Sequence, residues 1–159
     1  KRVASCFLDK FVGRKLRFND TKGNRLSINF HEFLLIIKSQ MQSQRDEHWR
    51  NQSDFLHYEK YDDYFSMESI KEAIDSLRSR GFMIYDTRSS INHDLSQYTR
   101  INGDFSKMKD IDLKKMKDDG MIPNYKSMYT SAEVELVKEI YNDDLSLYKS
   151  HFGDKNLIF

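Results

Sequence analysis

The chain has 159 residues, 38% hydrophobic and 32% charged, with 11 Phe and 9 Tyr, which excludes a disordered chain and fits one domain around one core. The net charge of +1 gives no argument for a nucleic-acid partner, and no apolar run approaches the roughly 18 residues of a membrane segment. Cys6 is the only cysteine, so an intrachain disulfide and a multi-cysteine zinc site are excluded and the redox compartment stays open.

Val3, Phe7 and Phe11, with Ala4 and Leu8 beside them, predict one apolar helical face over about residues 1 to 12, ended by Gly13. Asn29 precedes Phe30-His31-Glu32, a spacing that caps a helix reciprocally. Phe30, Phe33, Leu34, Ile37 and Met41 then form its buried face, and the helix is expected at about 30 to 43. Residues 44 to 57 are polar and read as loop. Tyr58 to Phe65 alternates loosely and suits a short strand.

Ser66 caps a third helix whose Ile70, Ala73, Ile74 and Leu77 share one side and whose stop is Gly81. Phe82-Met83-Ile84-Tyr85 is expected to be a second strand. Residues 86 to 128 are rich in Ser, Asn, Asp and Lys, with a brief helical pattern around Ile111 to Lys117, a length that signals function or disorder. Thr130 and Glu133 make a second capping box, after which Val134, Val137, Ile140, Tyr141, Leu145 and Tyr148 predict one long helix to Gly153.

Charge is unevenly spread. Residues 1 to 17 carry Lys1, Arg2, Lys10, Arg14, Lys15 and Arg17 against Asp9, whereas residues 131 to 154 carry six acids against Lys138 and Lys149. Cations at a helix start oppose its macrodipole unless an anion sits there, in which case backbone N–H groups, two cations and the Ser5 hydroxyl converge on it. The alternative is a solvated start with no ligand. The chain begins with Lys1-Arg2 rather than Met, and the natural protein is expected to continue upstream.

The stretch Arg2-Val3-Ala4-Ser5-Cys6-Phe7-Leu8-Asp9-Lys10-Phe11 resembles the segment after the Arg-Asp-Pro turn in carbohydrate sulfotransferases of the chondroitin and dermatan type, which use 3′-phosphoadenosine 5′-phosphosulfate (PAPS). His48-Trp49-Arg50-Asn51-Gln52 is similar to the family's His-Trp-Arg-Pro-Gln loop, with Asn51 in place of the proline, a change expected to loosen the loop. Tyr61-Asp62-Asp63-Tyr64-Phe65-Ser66-Met67-Glu68 and Tyr129-Thr130-Ser131-Ala132-Glu133 follow in the family's order.

The resemblance implies an α/β fold of the P-loop-type sulfotransferase class, with this single domain mostly helical and carrying a few short strands. It implies that Ser5 and Arg2 hold the 3′-phosphate of PAPS, and that Lys126 and Ser127 close over it. His48 is the expected catalytic base, since a neutral imidazole accepts a hydroxyl proton near neutral pH. A structural hydrogen-bonding role is its alternative. Trp49, Arg50 and Gln52 are expected at the acceptor, with the core as the other place for Trp49; Glu68 is an alternative base or a first-turn acid.

The family's 5′-phosphosulfate loop has no counterpart here, which implies that these 159 residues alone transfer no sulfuryl group. The expected partners are a carbohydrate or other hydroxyl acceptor, and either a second copy or a missing N-terminal segment; no nucleic acid is expected. The compartment would be the Golgi lumen for a eukaryotic member and the cytoplasm for a bacterial or viral one. No metal is expected, because His31, His57, His93 and His151 make no ligand spacing, and no Gly-x-x-x-x-Gly-Lys loop occurs. Asn19-Asp20-Thr21 and Asn51-Gln52-Ser53 fit the N-glycosylation pattern. The rival reading is a helical interaction module without cofactor, its basic first helix docking an acidic partner.

Overall fold

The computed structural model describes residues 2–13, 16–86, 97–154, 156 and 157; Lys1, Arg14, Lys15 and His93, named above, lie outside them. Its first segment divides into two faces at helical spacing. Val3, Ala4, Phe7, Leu8 and Phe11 are buried, while Arg2, Ser5, Cys6, Asp9 and Lys10 share the face beside a cavity. The segment starts as α1 (Arg2–Cys6) and continues as a π-helical turn (Phe7–Phe11), in which the Val12 N–H donates to the Phe7 carbonyl at 2.8 Å.

α2 (Phe30–Ser39) begins on the expected reciprocal cap: Glu32 N–H donates to Asn29 Oδ1, and Asn29 N–H to Glu32 Oε2, both at 2.9 Å. It ends before the expected 43, with Gln40 extended. Met41 consequently lies outside the helix and is 62% exposed rather than buried. Phe7 meets Phe33 with ring centroids 5.2 Å apart, and Phe30 meets Tyr129 edge to face at 5.2 Å. These rings form the centre of the core.

Ser66 caps a short 3-10 turn (Met67–Ser69) that leads into α3 (Ile70–Ser79), which buries Ala73 and Ile74. Gly81, at φ 89°, follows the helix and allows the left-handed turn there. The two strands expected near this helix do not form. Tyr58 and its neighbours fold back locally, because the Tyr61 hydroxyl accepts from the N–H groups of His57 and Tyr58. Phe82 to Tyr85 belongs to no described helix or strand, and the Arg78 guanidinium holds the Ile84 carbonyl at 2.6 Å.

β1 (Thr99–Ile101) and β2 (Met121–Pro123) instead pair in parallel, Thr99 with Met121 and Ile101 with Pro123, across α4 (Asp110–Asp118). Gly120, at φ 80°, makes the turn from α4 into β2. The buried Asp110 carboxylate docks the chain before α2, accepting from Arg25 Nη2 (2.9 Å), Ser27 Oγ (2.8 Å) and Ile28 N (3.1 Å).

The expected single C-terminal helix is two, α5 (Ser131–Ile140) and α6 (Asn142–Phe152), broken at Tyr141. The break is where the 49–51 loop docks: the Tyr141 hydroxyl donates to the Trp49 carbonyl at 2.7 Å, and Asn51 Nδ2 donates to the Ile140 carbonyl at 3.4 Å. The whole is mostly helical with one small parallel sheet, and no helix of the described residues is long and apolar enough to cross a membrane.

Candidate functional site

An open cavity of about 590 Å³ lies along the polar face of the first helical segment, lined by Arg2, Ser5 and Lys10 from that segment and by Glu47, His48 and Gln52 from the facing loop. Ser5 and His48, 43 residues apart in sequence, therefore share one space. The site runs beside the helix rather than capping its end, so side chains, and not the helix dipole, supply its charge.

Arg2 fixes the loop. Its Nη2 donates to the carbonyls of Glu47 (3.0 Å) and Arg50 (2.5 Å), tying residues 46–50 to the helix. Within that loop, Trp49 N–H and Arg50 N–H both donate to the Asp46 carbonyl, at 3.0 and 2.9 Å. Asp46 Oδ1 accepts from the His48 N–H at 2.9 Å and from the His48 ring Nδ1 at 2.6 Å. Burial would raise the Asp46 carboxyl, but these two bonds and the charges of His48 and Arg50 outweigh it and hold it below the usual carboxylate range.

An ionised Asp46 only accepts hydrogen bonds, so whenever the His48 ring is neutral its proton lies on Nδ1 and Nε2 is left as the proton acceptor. This is the carboxylate–imidazole arrangement of a general base. Nitrogen-15 NMR is expected to find His48 in the Nδ1–H tautomer at neutral pH in its neutral form, and Asp46→Ala to remove that preference. An Nε2–H ring in the unaltered chain would sink the assignment. Cys6 lines the same cavity as a neutral thiol, pushed up to about 12 chiefly by burial and by the nearby Asp46 charge.

The predicted residues divide. Arg2, Ser5, His48 and Gln52 line the cavity. Trp49, expected at the acceptor, is 5% exposed; its ring packs edge to face on Phe18 and Phe33, and Nε1 donates to Gln40 Oε1 at 3.1 Å. It is a core residue. Arg50 points its guanidinium at the Arg45 carbonyl, at 2.9 and 3.1 Å, where it braces the loop. Glu68 takes the Tyr148 hydroxyl at 3.2 Å.

Ser127 and Lys126 do not line the cavity. Ser127 Oγ accepts from the Gly103 N–H at 3.2 Å, and the Lys126 side chain is exposed. Their 3-10 turn (Tyr125–Met128) nonetheless reaches the site through Tyr125, whose hydroxyl meets Ser5 Oγ at 3.4 Å while Arg100 lies over its ring at 4.7 Å. Lys10, Asp46 and Tyr125 are the site residues that motif reading passed over. Spacing of 2, 5, 6, 9 and 10 marks the first, and Asp two residues before His marks the second.

Asn51 does the opposite of loosening the loop. It is 1% exposed, accepts from Arg45 Nη1 at 3.0 Å and donates to the Ile140 carbonyl. A glycan on this buried amide has no room in the folded chain. Asn51→Ala leaves both partners unsatisfied and is expected to cost about 1–3 kcal/mol in urea unfolding; an unchanged midpoint would contradict this role. No family model, no curated protein and no solved structure matches the chain.

Proposed function

We propose that the cavity receives the 3′-phosphate end of PAPS in a sulfotransferase acting on a hydroxyl acceptor, a carbohydrate by the resemblance of its motifs, to which these 159 residues supply the 3′-phosphate side and the base while the 5′-phosphosulfate loop has no counterpart in them. The observation that carries this reading is the sharing of one cavity by Ser5, Arg2 and Lys10 with His48. Ser5 offers a hydroxyl and Lys10 a cation to phosphate oxygens, and the rigid loop held by Arg2 sets the imidazole opposite them. Asp9, 3.6 Å from Lys10, and Glu47 line the same cavity, so a phosphate there would meet the Ser5 hydroxyl and two cations against two carboxylates.

PAPS supplies the sulfuryl group when bound. His48 Nε2 takes the proton of the acceptor hydroxyl as its oxygen bonds to sulfur and the bond from sulfur to the 5′-phosphate breaks, leaving adenosine 3′,5′-bisphosphate. Asp46 stabilises the imidazolium so formed. In this reading β1 and β2 belong to a P-loop-type sulfotransferase fold.

The rival, a cofactor-free interaction module, draws support from the exposed Phe82, Met83 and Tyr85. A thermal-shift titration with adenosine 3′,5′-bisphosphate, adenosine 5′-phosphate and ATP separates the readings. Stabilisation by the bisphosphate above both others is expected. Equal shifts by ATP favour another nucleotide-dependent transferase, and no shift favours the module.

A further inference from the structure

A second cavity, of about 200 Å³, lies between the first helical segment and α5 and α6 and shares Arg2 and Gln52 with the first. Its walls are hydrocarbon from Val3, Val137, Leu145 and Leu157 and the side chains of Tyr141 and Tyr148. Apart from the Gln52 side chain and the rest of the Arg2 guanidinium, whose Nη2 holds the Glu47 and Arg50 carbonyls, the polar groups of that lining are engaged elsewhere. The Tyr141 hydroxyl donates to the Trp49 carbonyl at 2.7 Å, and the Tyr148 hydroxyl to Glu68 at 3.2 Å. Asp144 accepts from the N–H groups of Gln52 and Ser53 and from the Ser53 hydroxyl, at 2.8 to 3.0 Å.

A sugar entering this space would give up its hydrogen bonds to water with few replacements, a cost of about 1–3 kcal/mol for each unsatisfied group. An apolar ring loses nothing of the kind and gains the burial of its faces. The volume exceeds the ~150 Å³ apolar cavity that takes benzene, which leaves room for a fused bicyclic ring. At the boundary with the first cavity stand the Arg2 guanidinium and the Gln52 amide, the groups that would meet an anionic or hydroxyl substituent on that ring.

We infer that the second cavity is a binding site for a planar apolar ring whose polar substituent points toward Arg2 and the first cavity. The inference stands on the lining and holds whether or not the transferase reading does. One source fits this chemistry, an aryl alcohol; a purine base carries ring nitrogens and an exocyclic group that would go unsatisfied as a sugar's hydroxyls do.

The test is isothermal titration of 2-naphthol into the whole chain, beside methyl β-galactoside as the polar probe. Binding of 2-naphthol and not of the galactoside is expected. Leu145→Trp and Leu157→Trp, which fill the cavity from two different segments, are each expected to weaken 2-naphthol by about tenfold or more, with cooperative melting retained in at least one. Repeating the titration at saturating adenosine 3′,5′-bisphosphate tests the assignment: undiminished binding is expected, and competition would overturn it by placing the nucleotide base in this cavity. The inference is overturned if 2-naphthol does not bind, if the galactoside binds as well, or if a folded filling variant binds as tightly as the parent. Failure of the bisphosphate itself to bind would strike the transferase reading and leave the ring site standing on its own two titrations.

Discussion

Replacing Glu133 by Gln is expected to lower stability by about 3 kcal/mol at pH 7 and to flatten the acid limb of the stability curve. The carboxylate is fully buried at the first turn of α5. It accepts from the Thr130 N–H at 2.9 Å, from the Thr130 hydroxyl and from His31 Nδ1 at 2.6 Å, with Lys107 Nζ at 3.5 Å. Burial alone would raise its carboxyl, but the Thr130 and His31 bonds and the Lys107 charge overcome that and bring it down to about 2 from 4.5.

A carboxyl whose folded value lies below its unfolded value contributes stability that is complete above pH 4.5. That stability drains as the pH falls toward 2. Urea unfolding at pH 7, 4 and 2.5 should therefore show the parent and Glu133→Gln converging in acid. A difference that stays constant across these values would mean that the charge at this site adds nothing. The same residue joins α5 to α2, since His31 lies in the first turn of α2, so the capping box is also a polar contact between two core helices, beside the more exposed Lys38–Glu139 pair at 2.8 Å.

How much of this could be seen in the chain itself follows from how local each signal is. Both capping boxes need only four residues, and Asn29 with Glu32 and Thr130 with Glu133 start their helices as spacing predicts. The break at Tyr141 is different. Nothing in the Val137 to Leu145 pattern marks it, because the groups that cause it, the Trp49 carbonyl and Asn51, arrive from about 90 residues away. The β1–β2 pair escaped for the same reason: each strand has three residues, and a helix separates them.

Aromatic residues misled in the opposite sense. The loose alternation of Tyr58 to Phe65 suits a strand, yet Tyr58, Tyr61 and Tyr64 lie three apart and meet edge to face, and Tyr64 stacks on His151. At the site, motif order draws attention to Ser5 and His48, which line one cavity, whereas Asp46, which holds the His48 ring, lies in none of those motifs. Trp49 shows the limit of a motif. His48 beside it lines the cavity, while its own ring fills the core against Phe18 and Phe33.

The second large effect concerns ligand binding. Ser5 is half-buried and its hydroxyl accepts from the Tyr125 hydroxyl at 3.4 Å, so Ser5→Ala removes one donor to a bound phosphate with little disturbance of the core. A hydrogen bond to a charged group is worth about 1.5–3 kcal/mol, which corresponds to a loss of about tenfold or more in affinity. Lys10→Gln removes a cation from the same face and should act in the same direction, more strongly at low salt. Arg2→Ala is the less direct variant, because it also releases the loop that holds His48.

The decisive comparison is calorimetric titration of adenosine 3′,5′-bisphosphate and adenosine 5′-phosphate into the parent chain and Ser5→Ala. If the serine hydroxyl grips the 3′-phosphate, the parent prefers the bisphosphate and the alanine variant loses that preference while keeping its weaker affinity for the monophosphate. Equal affinity of the parent for both nucleotides, or a preference untouched by the substitution, would contradict it.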